Sequence, residues 1–230
     1  MLLAGLFVTN AILGEVLGGK LVQLGPFVMS MGVIPWPVVF LSTDLINEYF
    51  GRNGVRRLTL MTACLIAYAF VIIYISIAVP AAPVSPVADE PFRIVFGQSL
   101  WIIVGSLVAF CVSQIVDVFV FWVFRDRTQG RHLWLRATGS TAVSQLVDTF
   151  VILSIAFWLP GKLSTKDFLG LALMNYTYKL GIAVGLTPFI YALHAAIDRF
   201  LGHKEAEHLI EESVRVSHEA SAKAPFSVAS

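Results

Sequence analysis

Two short stretches of the sequence repeat the same pairing of an amide and a carboxylate inside apolar surroundings. One reads SQIVD and ends at Asp117, and the other reads SQLVD and ends at Asp148. Gln114 lies three residues before Asp117, and Gln145 lies three before Asp148, so each pair shares one face of a helix. Each segment therefore presents a polar stripe, the kind of feature from which a substrate site inside a membrane protein is built.

Two further apolar segments carry polar side chains at helical spacing. Asp44 and Asn47 share a face of one segment, and Asn175 and Lys179 share a face of another. A charge near the centre of a bilayer costs at least about 2.5 kcal/mol on insertion scales, so such residues face a cavity or a partner. A lysine opposite several aspartates neutralises part of their charge. The predicted substrate-binding residues are Asp44, Asn47, Gln114, Asp117, Gln145, Asp148, Asn175 and Lys179, with Lys20, Glu48 and Tyr178 as secondary candidates.

The composition identifies the environment of these residues. The chain has 230 residues, of which 57% are hydrophobic and only 13% charged, whereas soluble domains carry about 25% charged residues. Its apolar residues fall into runs of about 20, long enough to cross the hydrocarbon core of a bilayer. Helices satisfy their own backbone hydrogen bonds in lipid, and the alternation typical of barrel strands is missing. The sequence therefore predicts an all-α polytopic membrane protein.

The hydropathy pattern predicts six membrane-spanning helices and a polar tail. Residues 1–199 form the predicted transmembrane domain, and residues 200–230 form a cytoplasmic tail with a helix at 203–220 and disorder over 221–230. The predicted spans are 2–24, 31–49, 58–79, 98–124, 137–159 and 169–197.

The distribution of arginine predicts the orientation. Loops after the second and fourth spans carry most of the cations, so the positive-inside rule makes these loops cytoplasmic, together with both termini. The fourth and fifth spans then run antiparallel, and the two SQ[IL]VD motifs read in opposite directions at similar depth, which gives the fold an inverted-repeat character. The seven cations of these loops are Arg52, Arg56, Arg57, Arg125, Arg127, Arg131 and Arg136.

Several longer sequence segments resemble those of one bacterial family. They are GGKL, GVIPWPVVFLSTDLINEYFG, SQIVDVFVF, SQLVDTFVILSIAF and NYTYKL, and they cover roughly residues 10–195. The chain resembles the six-span queuosine precursor transporters, formerly called putative vitamin uptake transporters. The resemblance implies an inner-membrane importer of cyano- and aminomethyl-deazaguanine, with queuine as a further candidate, for salvage into modified transfer RNA.

This substrate class suits the residues found from spacing alone. A guanine-like edge offers two adjacent N–H donors and a carbonyl acceptor. A carboxylate accepts from both donors, while the amide of Gln114, Gln145 or Asn175 donates to the carbonyl. The expected partners are thus a small purine-like molecule and the lipid bilayer, with a homodimer or an accessory subunit left open.

Other functions have weaker support in the sequence. One alternative is a substrate-capture subunit that needs a separate ATP-driven module, because the chain has no GxxxxGK[ST] motif of its own. Two modes of uptake remain open, namely coupling to protons and facilitated diffusion. An intramembrane aspartyl protease would need a GxGD neighbourhood and a metalloprotease an HExxH motif, and both motifs are missing from the sequence. We therefore expect no enzyme, no cofactor and no bound metal.

Overall fold

The computed structural model describes residues 1–24, 27–97, 100–129 and 131–222, and it is predominantly helical. A short 3₁₀ turn (Met31–Val33) precedes the second helix, and a π-helical segment (Ser154–Trp158) extends the fifth. The α-helices are α1 (Leu2–Leu17), α2 (Trp36–Ala78), α3 (Asp89–Phe96), α4 (Leu100–Thr128), α5 (Leu133–Leu153), α6 (Thr165–Leu201) and α7 (His203–Ala222). Two strands, β1 (Leu21–Leu24) and β2 (Phe27–Ser30), form an antiparallel hairpin.

The long helices have the length and composition of membrane spans. Within the described residues, α2, α4, α5 and α6 are each long and apolar enough to cross a bilayer, and α1 is a shorter apolar helix of 16 residues. The protein is therefore a multi-pass membrane protein. The structure does not confirm the six separate spans expected from hydropathy, because a single helix, α2, covers the second and third of them and α1 is shorter than the first.

The first predicted span, 2–24, is shorter in the structure. Helix α1 ends at Leu17, and the chain then passes through Gly18 and Gly19 into the hairpin. Glycine is the least favourable residue for a helix after proline, so a pair of glycines ends the helix early. The Ser30 hydroxyl donates to the Gly18 carbonyl over 2.8 Å, which ties the end of the hairpin to the end of α1.

The second and third predicted spans are joined in the single element α2. The expected loop between residues 49 and 58 is helical except at Gly51, where φ is +67° and ψ is −173°. This region of backbone conformation is populated almost only by glycine. Helix α2 therefore consists of two helical segments that meet at a break, and Asp44, Asn47 and Glu48 lie in the last two turns before it.

The remaining helices surround this broken helix. Helices α4 and α5 pack against each other, α1 packs on α2, and α6 packs on α5. The largest apolar cluster contains Phe7 of α1, Val39 and Ile66 of α2, and Phe110 of α4, all nearly inaccessible. The candidate polar residues of α2 and α4 are consequently enclosed by helices on several sides.

Helix α7 forms where the sequence predicted a helix, but it is not a free solvated helix. It packs on α2 through a face of small side chains, in which Ala206, Ser213 and Ser217 are buried. The predicted disorder at 221–230 falls almost wholly outside the described residues.

Replacing Gly51 by alanine should destabilise the protein. A Cβ at this position would lie 2.5 Å from the Ser217 hydroxyl oxygen, and the backbone conformation costs a non-glycine residue about 1–3 kcal/mol. Gly170→Ala is the matched control, because Gly170 is in α6 and its Cβ would have no neighbour within 4 Å. Denaturant unfolding in detergent measures both variants, and equal stability of Gly51→Ala and wild type would contradict the strained break.

Candidate substrate-binding site

The two SQ[IL]VD motifs contact each other by exchanging hydrogen bonds. The Ser144 hydroxyl of α5 donates to Asp117 Oδ1 of α4 over 3.1 Å, and the Ser113 hydroxyl of α4 lies 3.4 Å from Asp148 Oδ1 of α5. Each motif therefore supplies a hydroxyl to the carboxylate of the other. The exchange places both aspartates between α4 and α5.

Each of these serines has a second acceptor within its own helix. Ser144 Oγ is 3.1 Å from the Thr141 carbonyl oxygen, and Ser113 Oγ is 3.2 Å from that of Phe110. A hydroxyl has only one hydrogen to donate. The helix carbonyl and the aspartate therefore compete for it, and neither aspartate is firmly satisfied by its serine.

Asp148 has a cationic partner. Lys179 Nζ of α6 lies 2.6 Å from Asp148 Oδ2, and the side chains are 21% and 13% exposed, respectively. Two other predicted residues lie on the same helix: Asn175, whose amide donates to the Leu171 carbonyl one turn earlier, and Tyr178, which is half-buried. The Asp148–Lys179 pair thus joins α5 to α6.

A small cavity lies beside this pair. Its volume is about 10 Å³, and it is bordered by Val33, Trp36, Pro37, Phe40, Lys179 and Ile182. That volume is enough for about one water molecule. A purine-like base would need the helices around Lys179 to separate.

The deepest polar side chains are those of α2 and α4. Asp44, Asn47, Gln114 and Asp117 are all at most 5% exposed. Among the described residues, the atoms without a hydrogen-bond partner include Asp44 Oδ1, both polar side-chain atoms of Asn47, Gln114 Oε1 and Asp117 Oδ2. The carboxylates of Asp44 and Asp117 interact electrostatically. These atoms form an acid–amide pair on each helix with unused hydrogen-bonding capacity, which is uncommon for buried groups.

Glu48 differs from the other candidates because it is fully engaged. Arg136 binds its carboxylate in a bidentate manner, with Nε 3.0 Å from Oε2 and Nη2 2.8 Å from Oε1. Arg125 Nη1 lies 3.2 Å from Glu48 Oε2. The three side chains are buried, at 2%, 6% and 8% exposure, respectively. Glu48 therefore binds two arginines and joins α2 to α4 and α5.

The sequence prediction was wrong about these two arginines, which it placed in a cytoplasmic loop. Arg125 lies within α4 and Arg136 within α5, and both point into the bundle. The charge of Glu48 attracts them inward because a buried carboxylate is stable only when paired. A glutamate one turn from Asp44 in an apolar segment was the signal that deep cations had to exist.

The charges of this part of the interior do not balance. When all five groups are ionised, Asp44, Asp117 and Glu48 carry three negative charges and Arg125 and Arg136 two positive charges, so one negative charge is in excess. Among the described residues, the ion pairs of this group all involve Glu48, and neither Asp44 nor Asp117 forms one there. A ligand or a proton that brings one positive charge would make the group neutral.

The remaining predicted residues are less central. Gln145 is buried on α5, and Lys20 is exposed in the turn after α1 rather than inside a span. The side chains of Phe121 and Trp122, which could stack on a base, are fully buried. Arginine guanidinium groups cover both of their rings. These two aromatic residues hold arginines in the observed structure.

The fold and the polar interior define a multi-pass membrane protein with binding groups between its helices. A family model described as "Putative vitamin uptake transporter" matches residues 30–193, well over half of the chain. The chain belongs to this family.

Two relatives support the same assignment. A "Probable queuosine precursor transporter" of Bacillus subtilis is 32% identical over 175 residues, which are 75% of this chain and 75% of that protein. A protein of Haemophilus influenzae with the same name is 26% identical over 207 residues, covering 85% of this chain and 81% of the relative. No solved structure matches the chain.

Removing the Glu48 carboxylate should strongly destabilise the protein. Glu48→Gln leaves two buried guanidinium groups without their counter-charge, and breaking a buried ion pair in this way costs about 3–5 kcal/mol. The free energy of unfolding in detergent measures the effect.

The matched control is Glu90→Gln, which removes an exposed glutamate paired with Arg93 on α3. An exposed ion pair contributes at most about 1 kcal/mol, so this variant should unfold almost like wild type. Equal stability of the Glu48 and Glu90 variants would show that the buried triad contributes nothing to the fold.

Proposed function

We propose that the protein transports queuosine precursors, the cyano- and aminomethyl-substituted deazaguanine bases, into the cell. Its family and the names of both relatives support a transporter of this substrate class. In this proposal the chain carries out uptake by itself and is not a capture subunit.

The observation that carries the proposal is the set of unpartnered buried atoms on α2 and α4. Asp44 and Asp117 each have a free carboxylate oxygen, and Asn47 and Gln114 have free amide atoms. A guanine-like edge presents two N–H donors beside one carbonyl acceptor, so carboxylate and amide groups complement it. A buried polar group that has lost its water and has no partner destabilises the protein. A ligand with the matching edge supplies the missing hydrogen bonds.

The excess negative charge favours one form of the substrate. An aminomethyl group is cationic, and it would balance the charge that Asp44 and Asp117 leave uncompensated. The neutral cyano form would instead require a proton on one of the two carboxylates. Both forms therefore fit the same pair of aspartates, with one proton more or less in the complex.

Binding requires a more open conformation than the observed one. The cavity at Lys179 holds about one water molecule, whereas the proposed substrates are bicyclic. We propose that α5 and α6 move relative to α2 and that the Asp148–Lys179 pair opens with them. In this scheme Gln145, Asp148, Asn175 and Lys179 complete the site from the opposite side, and Tyr178 borders it.

We also propose that the protein lies in the inner membrane with both termini in the cytoplasm. Four exposed arginines support this orientation, namely Arg56, Arg57, Arg127 and Arg131. Helix α7 packs at the same end of the molecule, since His218 contacts Asp126 near the end of α4. Leu3, near the start of α1, packs in the cluster of Tyr49 and Ala206, so the start of α1 and the start of α7 meet there.

Replacing Asp117 by asparagine should abolish uptake while the protein still accumulates in the membrane. The substitution replaces one of the two acceptor oxygens by an NH2 donor and removes the negative charge, and it keeps the shape of the side chain. Growth of a strain that cannot synthesise the base, and that lacks ATP-driven uptake modules, measures transport from externally supplied precursor.

Asp167→Asn is the matched control, because Asp167 is an exposed residue in the first turn of α6. We expect wild-type growth from this variant and none from Asp117→Asn at equal membrane abundance. Wild-type growth with Asp117→Asn would remove Asp117 from the site. Failure of the wild-type chain itself to support growth would contradict autonomous uptake.

A further inference from the structure

The break in α2 leaves backbone groups that need partners. A helix that ends leaves the last carbonyl groups without intrahelical donors, and a helix that begins leaves the first N–H groups without acceptors. Because Gly51 interrupts α2, both kinds of orphan group arise within a few residues. Gly51 is buried within the protein, so such groups have to be satisfied by protein side chains rather than by water.

Two serines of α7 satisfy one group on each side of the break. Ser213 Oγ lies 2.7 Å from the Glu48 carbonyl oxygen and 2.8 Å from the Ile210 carbonyl oxygen of its own helix, so its one hydrogen is shared between the two acceptors. Ser217 Oγ accepts from the Arg52 backbone N–H over 3.2 Å. The serines are four residues apart and therefore lie on one face of α7. They are 6% and 1% exposed, respectively. A single face of α7 thus caps the end of one half of α2 and the start of the other.

The fit between α7 and the break is close. A Cβ on Gly51 would lie 2.5 Å from Ser217 Oγ and 3.0 Å from the Ser213 carbonyl oxygen. Further along, His218 Nε2 lies 3.2 Å from Asp126 Oδ1, and the His218 ring packs edge-on against Trp122. Helix α7 is therefore attached both to the break and to the end of α4.

The break is directly connected to the candidate site. Glu48, whose carbonyl Ser213 binds, holds Arg125 and Arg136 with its side chain, and Asp44 lies one turn earlier on the same helix. A change in the angle at Gly51 would move Glu48 relative to α4 and α5, and Asp44 with it. The family model ends at residue 193, before α7 begins, so the α7 side of this contact lies outside the part of the chain that the family model matches.

We propose that α7 is a latch: Ser213 and Ser217 hold the broken helix α2 closed at Gly51, and α7 has to leave the break for the site to open at this end. Ser213 and Ser217 are positioning residues in this scheme, since they act through the backbone of α2. The inference depends on the proposed transport function, because opening is required only if a substrate passes.

A reversible cross-link between α7 and α4 tests the latch. Asp126 and His218 are about half-exposed and meet at the ends of their side chains. With Cys64 and Cys111 replaced by serine, the double variant Asp126→Cys/His218→Cys should be bridged by a short bis-methanethiosulfonate reagent, which forms a disulfide with each thiol and is removed by reduction. We expect this bridge to abolish precursor uptake and a reducing agent to restore it. Each single cysteine variant should transport under both conditions, and mass spectrometry of a digest verifies the cross-link.

The matched control tethers a different part of the chain. Ala81 and Asp89 are exposed and joined by a 2.8 Å hydrogen bond between the loop after α2 and the first turn of α3, so Ala81→Cys/Asp89→Cys accepts a comparable cross-link away from α7. Uptake by this variant should not change on cross-linking. Undiminished uptake by the cross-linked Asp126–His218 variant would overturn the latch, as would failure of that pair to cross-link in the resting protein.

A second measurement follows the movement itself. In the same background without Cys64 and Cys111, Ala206→Cys places a thiol at a buried position of α7 that does not contact the break through a hydroxyl. Its reaction with a water-soluble maleimide should become faster when precursor is added. An unchanged labelling rate in a protein that transports would contradict release of α7. Absence of uptake by the reduced protein would instead contradict the proposed transport function, so the two failures are distinguishable.

Discussion

Polar atoms inside a membrane protein must find partners within the protein, and this structure depends on how that requirement is met. Lipid offers no hydrogen bonds, so each unsatisfied buried group costs free energy. Glu48 meets the requirement with two arginines, and Asp148 meets it with Lys179. Asp44, Asn47, Gln114 and Asp117 do not meet it fully, since each keeps an atom without a partner. This difference separates residues that hold the helices together from residues available to a ligand.

The two aspartates of the repeated motif have different surroundings. Each receives a hydroxyl from the other motif, yet only Asp148 has a lysine. Asp117 instead interacts electrostatically with Asp44, a second acid. The same five-residue pattern thus contributes to an ion pair between α5 and α6 in one copy and to a pair of neighbouring acids in the other. A neutral interior is reached only when a further positive charge enters, which links occupancy of the site to its electrostatics.

The spacing of acids and amides on α2, α4 and α5 predicted which polar side chains turn away from lipid. Residues three apart share one helix face, and a polar face cannot lie against hydrocarbon without a large cost. It could not predict which partner each acid finds. The sequence does not indicate that Arg125 and Arg136 lie in helices with their side chains buried. A cation near a helix end can extend to water or turn inward with equal ease. Nor does it indicate that two small serines of α7 cap the break at Gly51. Contacts between distant helices depend on packing, and local periodicity contains no record of them.

The central claim is that Asp44, Asn47, Gln114 and Asp117 bind the hydrogen-bonding edge of a guanine-like base. The most direct test compares the affinity of the purified protein for cyano-deazaguanine with its affinity for the same base without the exocyclic amino group. Loss of one donor leaves a buried carboxylate oxygen unpaired, which costs about 1–3 kcal/mol. We predict that the base without the amino group binds about 5- to 150-fold more weakly. Equal affinity for the two bases would contradict the account.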